Sequence, residues 1–238
     1  MADNSASRIT LEVFRSEKGR LSRFDVPVPA PASRVLDALL YVREHLDPSL
    51  GFRYSCRAGM CGSCALVVNG KEALACQSAI GALGTTTVRL SPLRALPVLH
   101  DLMCDMTPFF DTLKRADAAM RPKEPNRKTL RVMPPGEPHR ALIEGQNGCL
   151  TCGACFSACE WSATRPGYLG PAAMNRVLML SLDERDARGK SRLATVANES
   201  GALRCHGLGN CSQVCPVDIP LREGMQKLKG LLAMEDIS

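Results

Sequence analysis

Eleven of the twelve cysteines fall into three spaced sets. Cys56, Cys61, Cys64 and Cys76 are separated by four, two and eleven residues, and Cys149, Cys152, Cys155 and Cys159 by two, two and three. Cys205, Cys211 and Cys215 are separated by five and three, and Pro216 follows the last of them. Thiolates are soft, tightly binding ligands, and several delivered by neighbouring turns suit iron–sulfur cores. Such cores exchange single electrons, so the chemistry to expect is electron transfer rather than bond-making on an organic molecule. The chain carries no nucleophile elbow, phosphate-binding glycine loop or dinucleotide fingerprint that would suggest otherwise.

The first loop reads Ser55-Cys56-Arg57-Ala58-Gly59-Met60-Cys61-Gly62-Ser63-Cys64. Its spacing is the plant type of a [2Fe–2S] centre. Gly59 and Gly62 let the backbone wrap closely around a two-iron core and turn amide hydrogens toward its sulfurs. Zinc held by the same four thiolates is the plain alternative.

The second and third runs resemble the bacterial two-cluster ferredoxin pattern, in which the last cysteine of each run serves the other run's cluster. That crossing assigns Cys149, Cys152, Cys155 and Cys215 to a [4Fe–4S] centre, and leaves Cys159, Cys205 and Cys211 for another. The pattern calls for a further cysteine where Leu208 stands, and an apolar side chain cannot hold a fourth iron. The third centre is therefore expected to be [3Fe–4S]. Its alternative is a [4Fe–4S] core with water or another residue on the odd iron. Glu160, rather than proline, follows Cys159. Cys104, among Leu102, Met103 and Met106, reads as a small buried hydrophobe. No two histidines are arranged with cysteines as a Rieske centre needs. His206 alone adjoins a ligand, and either a quinone or proton role or simple packing suits it.

A chain of 238 residues with 45% hydrophobic content can fill two domain cores. The opening Met1-Ala2-Asp3-Asn4 lacks the basic start and apolar run of a secretory signal, so metal-bound thiolates in a reducing compartment are expected rather than disulfides. No stretch approaches the roughly 18 apolar residues of a spanning helix. The net charge of +6 comes from scattered basic residues with only three Tyr, six Phe and one Trp to stack on bases, which argues against nucleic acid. Bound clusters would also offset that charge.

Around the cysteines, Ile9, Leu11 and Val13 alternate as in a half-buried strand, and Lys18-Gly19 turns the chain into a second strand through Phe24 and Val26. Ser33 is placed to cap a helix carrying Leu36, Leu39 and Leu40, with Pro48 closing it. Ala65 to Val68, the Asn69-Gly70 turn and Glu72 to Cys76 form a hairpin, and Thr87, Val88 and Leu90 a last strand. This makes an α+β domain over 1–105. Prolines 108, 122, 125, 134, 135 and 138 mark a connector over 106–139 without long regular elements. Over 140–238 the apolar residues follow helical spacing, as in Met174, Val177, Leu178 and Leu182, then Met225, Leu228 and Leu232, so the cysteines are expected in turns between helices.

With these residues in view, the chain resembles the iron–sulfur subunit of succinate dehydrogenase and fumarate reductase over nearly its whole length. The likeness is carried by Phe52 to Leu66, Asn69-Gly70, Leu74-Ala75-Cys76, Asp105 to Phe110, the Cys149 run, Gly170-Pro171-Ala172, and Arg204-Cys205-His206 through Cys215-Pro216. The resemblance implies a β-grasp [2Fe–2S] ferredoxin-like domain, an all-α helical ferredoxin domain, and the three clusters as assigned above. It also implies a partner flavoprotein carrying FAD, membrane anchor subunits with or without haem b, and a quinone as acceptor or donor. The implied location is peripheral, on the cytoplasmic face of a bacterial inner membrane. Family members follow the cysteine equivalent to Cys159 with Pro-Ser and an aromatic pair, where a tryptophan contributes to the quinone pocket. Here Glu160-Trp161-Ser162-Ala163-Thr164-Arg165 stands instead, so Trp161 either serves from a shifted place or packs against the cluster. This departure favours a rival, an iron–sulfur subunit of another flavoprotein with a different substrate or a non-quinone acceptor. A zinc-stabilised assembly module is the rival without redox work.

Overall fold

A computed structural model describes residues 7–17, 19–124 and 132–234. Lys18 of the expected turn, Pro125 of the expected connector and the opening Met1-Ala2-Asp3-Asn4 lie outside them. In chain order the elements begin with β1 (Ser7–Arg15), β2 (Arg20–Val28), α1 (Val35–Tyr41), β3 (Ala65–Val68), β4 (Lys71–Leu74), β5 (Thr87–Ser91), β6 (Val98–His100) and β7 (Met103–Cys104). Helices α2 (Thr107–Arg115), α3 (Pro138–Ile143), α4 (Ala154–Ser157), α5 (Glu160–Thr164), α6 (Gly170–Leu182), α7 (Asn210–Gln213) and α8 (Leu221–Met234) follow. The chain forms two compact units, Met1–Met106 with Leu150–Ser157, and Thr107–Cys149 with Ala158–Ser238.

The first unit is a mixed five-stranded sheet in the order β2-β1-β5-β3-β4, with β1 and β5 parallel and the other pairs antiparallel. Ile9, Leu11 and Val13 point from β1 into the core with Val26, Val88 and Leu90, and α1 brings Leu36 and Leu39 to the same core. Full burial of one such side chain stabilises by roughly 1.5–3 kcal/mol. An exposed ion pair contributes about 0–1 kcal/mol. Apolar packing therefore holds this β-grasp together.

Three details differ from the sequence reading. The helix is capped by Arg34 rather than Ser33, because the Asp37 carboxylate accepts the Arg34 backbone N–H at 2.8 Å. Strand β4 ends at Leu74, so Cys76 stands in the turn beyond it, where the Gln77 N–H closes onto the Leu74 carbonyl at 2.9 Å. The small β6–β7 hairpin was not anticipated; its three-residue and two-residue strands are too short for an alternating pattern to show. The Asn69-Gly70 turn is as expected, with φ of 47° and 85° matching a primed hairpin turn.

Residues 150–157 fall within the first unit, although sequence order set them in the helical half. Polar contacts account for this. The Ser157 hydroxyl donates to the buried Glu72 carboxylate on β4 at 2.8 Å and accepts the Arg94 N–H at 2.8 Å.

The second unit is helical, built on α6. Met174, Val177 and Leu178 of α6 share a core with Met225 and Leu228 of α8. The expected connector departs from its proline reading by opening with the nine-residue α2. Pro108 is the second residue of that helix, in the first turn, where a missing N–H costs no helical hydrogen bond. Beyond α6 a polar cluster closes the chain: Arg192 and Asp186, both fully buried, pair at 2.7 Å, and Asp117 also contacts Arg192. Among the described residues no helix is long and apolar enough to cross a membrane.

Candidate metal centres

The first cysteine set is delivered by one loop and the turn after β4. The backbone N–H groups of Ala58 and Met60 both point at Cys56 Sγ, at 3.4 and 3.3 Å. Hydrogen bonds to sulfur of this kind tune an iron–sulfur core. The Ser63 hydroxyl, helped by backbone N–H groups, lowers the Cys61 thiol to about 6. Burial instead pushes Cys64 up to about 12, with Cys76 and Cys61 adjoining it. Four thiolates crowded here need cationic iron to offset their charge, and metal uptake must displace the proton held at the buried end. Gly62 has φ of 71°, and a Cβ on it would lie 2.6 Å from the Cβ of Cys152, so the loop packs directly on the 150–157 stretch. The residues thus fit a two-iron core in ligand number, amide donors and backbone clearance.

Cys152 and Cys155 lie in the first unit, and Cys155 is the second residue of α4. Cys149 and Cys215 lie in the second unit, where the Ile219 N–H points at Cys215 Sγ at 3.4 Å. Cys104 is 5% exposed, and burial raises its thiol, as expected of a small hydrophobe.

Cys159, Cys205 and Cys211 line one cavity of about 40 Å³ in the second unit, with Tyr168, Trp161, His206 and Leu208. Cys159 is the residue before α5, and Cys211 is the second residue of α7. Cys155 and Cys211 therefore stand in four-residue helices rather than turns between helices, each too short for a helical spacing of apolar residues to show in the sequence. Burial and the nearby Cys159 and Cys205 sulfurs push Cys211 up to about 11. Three sulfurs whose charges bear on one another suit a polynuclear cation. Leu208 is 62% exposed and brings no ligand atom to the fourth place. The Trp161 and His206 rings lie 5.0 Å apart, with the Arg204 and Arg165 guanidinium groups 5.5 and 5.9 Å from the indole. Lys229 Nζ donates to the Cys205 carbonyl at 2.6 Å. Tyr168 and Lys229 were not singled out in the sequence, because neither stands in a cysteine run.

Among the described residues no three His, Cys, Asp or Glu side chains are gathered as a single-ion site. A polynuclear core separates its ligand sulfurs by its own width, so these sets need not gather as zinc ligands do.

A sheet unit with a plant-type cysteine loop, and two further cysteine runs in a chain whose second unit is helical, define a ferredoxin-type electron carrier. Residues 9–111 match the family model of a 2Fe-2S iron-sulfur cluster binding domain, and residues 145–219 that of a 4Fe-4S dicluster domain. The mitochondrial succinate dehydrogenase [ubiquinone] iron-sulfur subunit 1 of Oryza sativa subsp. japonica is 33% identical over 235 residues, covering 95% of this chain and 83% of its own. The chain belongs to the family of succinate dehydrogenase iron–sulfur subunits, and its role is electron transfer. Among solved structures, a chain of the Mycobacterium smegmatis Sdh1 complex in the apo form superposes with a TM-score of 0.85 at 24% identity, over 98% of this chain and 100% of that one. A hypothetical protein from Helicobacter pylori gives 0.60 at 17% identity, over 100% of this chain and 42% of that one. Both share the fold.

Proposed function

We propose that the chain relays single electrons between FAD of a partner flavoprotein and a membrane quinone, within a succinate dehydrogenase or fumarate reductase complex. Cys56, Cys61, Cys64 and Cys76 hold a [2Fe–2S] centre. Cys149, Cys152, Cys155 and Cys215 hold a [4Fe–4S] centre, and Cys159, Cys205 and Cys211 a [3Fe–4S] centre. When bound, the clusters supply one-electron capacity, which divides the two-electron exchange of a flavin into single steps. The protein's own residues set ligand positions, exclude water and direct hydrogen bonds at sulfur.

The observation that carries the reading is the cavity shared by Cys159, Cys205 and Cys211, with Leu208 where the dicluster pattern has a fourth thiolate. His206 and Trp161 border the same cavity, which supports a quinone in their vicinity. Anchor subunits, with or without haem b, complete the assembly at the cytoplasmic face of a bacterial inner membrane. The dicarboxylate reacts on the partner flavoprotein.

Reconstitution with the flavoprotein and anchors is the test. Succinate should reduce the clusters and drive reduction of a quinone analogue; clusters that stay oxidised in succinate overturn the reading. A second reading, delivery from another flavoprotein or to a non-quinone acceptor, is favoured by Glu160 in the first turn of α5, where the family resemblance implies proline. Full cluster reduction with no quinone activity would select it.

A further inference from the structure

Tyr168 stands just before α6 and is 4% exposed, its side chain in the core formed by Met174, Val177 and Leu228. Its other border is the cavity lined by Cys159, Cys205 and Cys211. A tyrosine buried this deeply needs a partner for its hydroxyl. Cys205 borders the same cavity, with Cys159 and Cys211, and offers the sulfur that the phenol faces there. A tyrosine hydroxyl is neutral at pH 7 and so donates toward a thiolate held in that cavity.

Other polar groups nearby are turned elsewhere. Lys229 is committed to the Cys205 carbonyl, and the His206 ring is exposed beside Trp161. Tyr168 is thus a buried side-chain donor on the cavity that Cys159, Cys205 and Cys211 line.

We propose that Tyr168 is a tuning residue: its O–H donates a hydrogen bond to Cys205 Sγ and raises the reduction potential of the centre held by Cys159, Cys205 and Cys211. The inference rests on the ligand assignment proposed above. Reduction adds one electron to the centre, increases negative charge on its sulfurs and strengthens the bond that Tyr168 donates; no proton is transferred. The oxidised form gains less from the same bond, and this difference shifts the potential.

The experiment is a redox titration of the assembled complex, following the paramagnetic signal of the oxidised [3Fe–4S] centre. Tyr168→Phe keeps the ring and removes the donor. Its ratio of reduced to oxidised centre at fixed applied potential should fall about tenfold, the scale of one charge-assisted hydrogen bond. For a one-electron couple that is a shift of about 59 mV. Replacing Tyr168 with 3-fluorotyrosine makes a stronger donor of nearly the same shape and should move the ratio the other way. A residue that only packs would produce neither shift. A ratio unchanged within twofold in Tyr168→Phe overturns the proposal. Should that variant fail to assemble, an unchanged ratio in the 3-fluorotyrosine protein overturns it instead. Absence of the oxidised signal in the unmodified complex would overturn the ligand assignment, and is distinct from a failure of Tyr168 to tune.

Discussion

The first and third cysteine sets solve the same problem by opposite means. The first is almost self-contained: three ligands come from one loop, the amides that face Cys56 belong to the next four residues, and Cys56 and Cys61 are exposed. The third joins Cys159 to a loop nearly fifty residues further on, and surrounds its sulfurs with Tyr168 and Trp161 from a segment between them. A loop that supplies its own donors needs glycines and short spacing. A site gathered from distant stretches needs a packed core to hold it.

Damage to the first loop should therefore be local and severe. Gly62→Ala sets a methyl group 2.6 Å from the Cβ of Cys152 and requires φ of 71° of a non-glycine residue. It is expected to abolish the [2Fe–2S] signal while the oxidised [3Fe–4S] signal persists. Gly207→Ala, at φ of 74° with open space around its Cβ, should be tolerated far better, at about 1–2 kcal/mol. Equal iron loss in the two variants would mean that close approach does not distinguish the loops.

Leu208→Cys sharpens the comparison from the other side. A thiolate at the fourth place should add one iron per chain, convert the third centre to [4Fe–4S] and erase the oxidised paramagnetic signal. Iron analysis together with spectra of the oxidised protein checks it, and an unchanged iron content would refute it.

The core behind the third set offers a smaller and purely structural test. Asp186→Asn takes from the fully buried Arg192 its 2.7 Å carboxylate partner, leaving Asp117 at 3.5 Å, and should cost about 3 kcal/mol, read as a lower urea midpoint. Glu12→Gln, on the sheet, loses charge opposite Arg23 and Arg89 side chains that are largely exposed, and should lower the urea midpoint less than Asp186→Asn does.

The smallest effect is one of pH. Burial alone would raise Asp186, but Arg192 and the N–H groups of Arg121, Gly189 and Arg188 outweigh it and hold the carboxyl below its ordinary 3.8. In the same way, N–H groups of Gly51 and Ser16, with Arg15, outweigh burial at Asp101. Depressed carboxyls stabilise fully above the ordinary value, and that stability is lost as pH falls through the folded one. Thermal stability should thus decline below about pH 4, and Asp186→Asn should flatten that decline. Parallel acid profiles for the two proteins would contradict this.

Much of the molecule was readable from local signals. The cysteine spacings, the alternation of Ile9, Leu11 and Val13, the Asn69-Gly70 turn and the apolar stripe from Met174 to Leu182 each act within a few residues. The helix cap was misread by one residue because Ser33 and Arg34 compete for the same position, and Asp37 three residues on decided it. The placement of 150–157 with the sheet depends on Glu72 and Arg94, which carry no mark of a partner beyond residue 150.

The proposed ligand chemistry belongs to the sequence by itself: cysteines at short, regular intervals, and leucine where a further one would stand, are covalent facts that survive any folding. Which side chains stand behind those ligands was left to tertiary structure. The burial of Tyr168 on the cavity that Cys205 lines, or an ion pair sealed between Arg192 and Asp186, exists only once packing has excluded water.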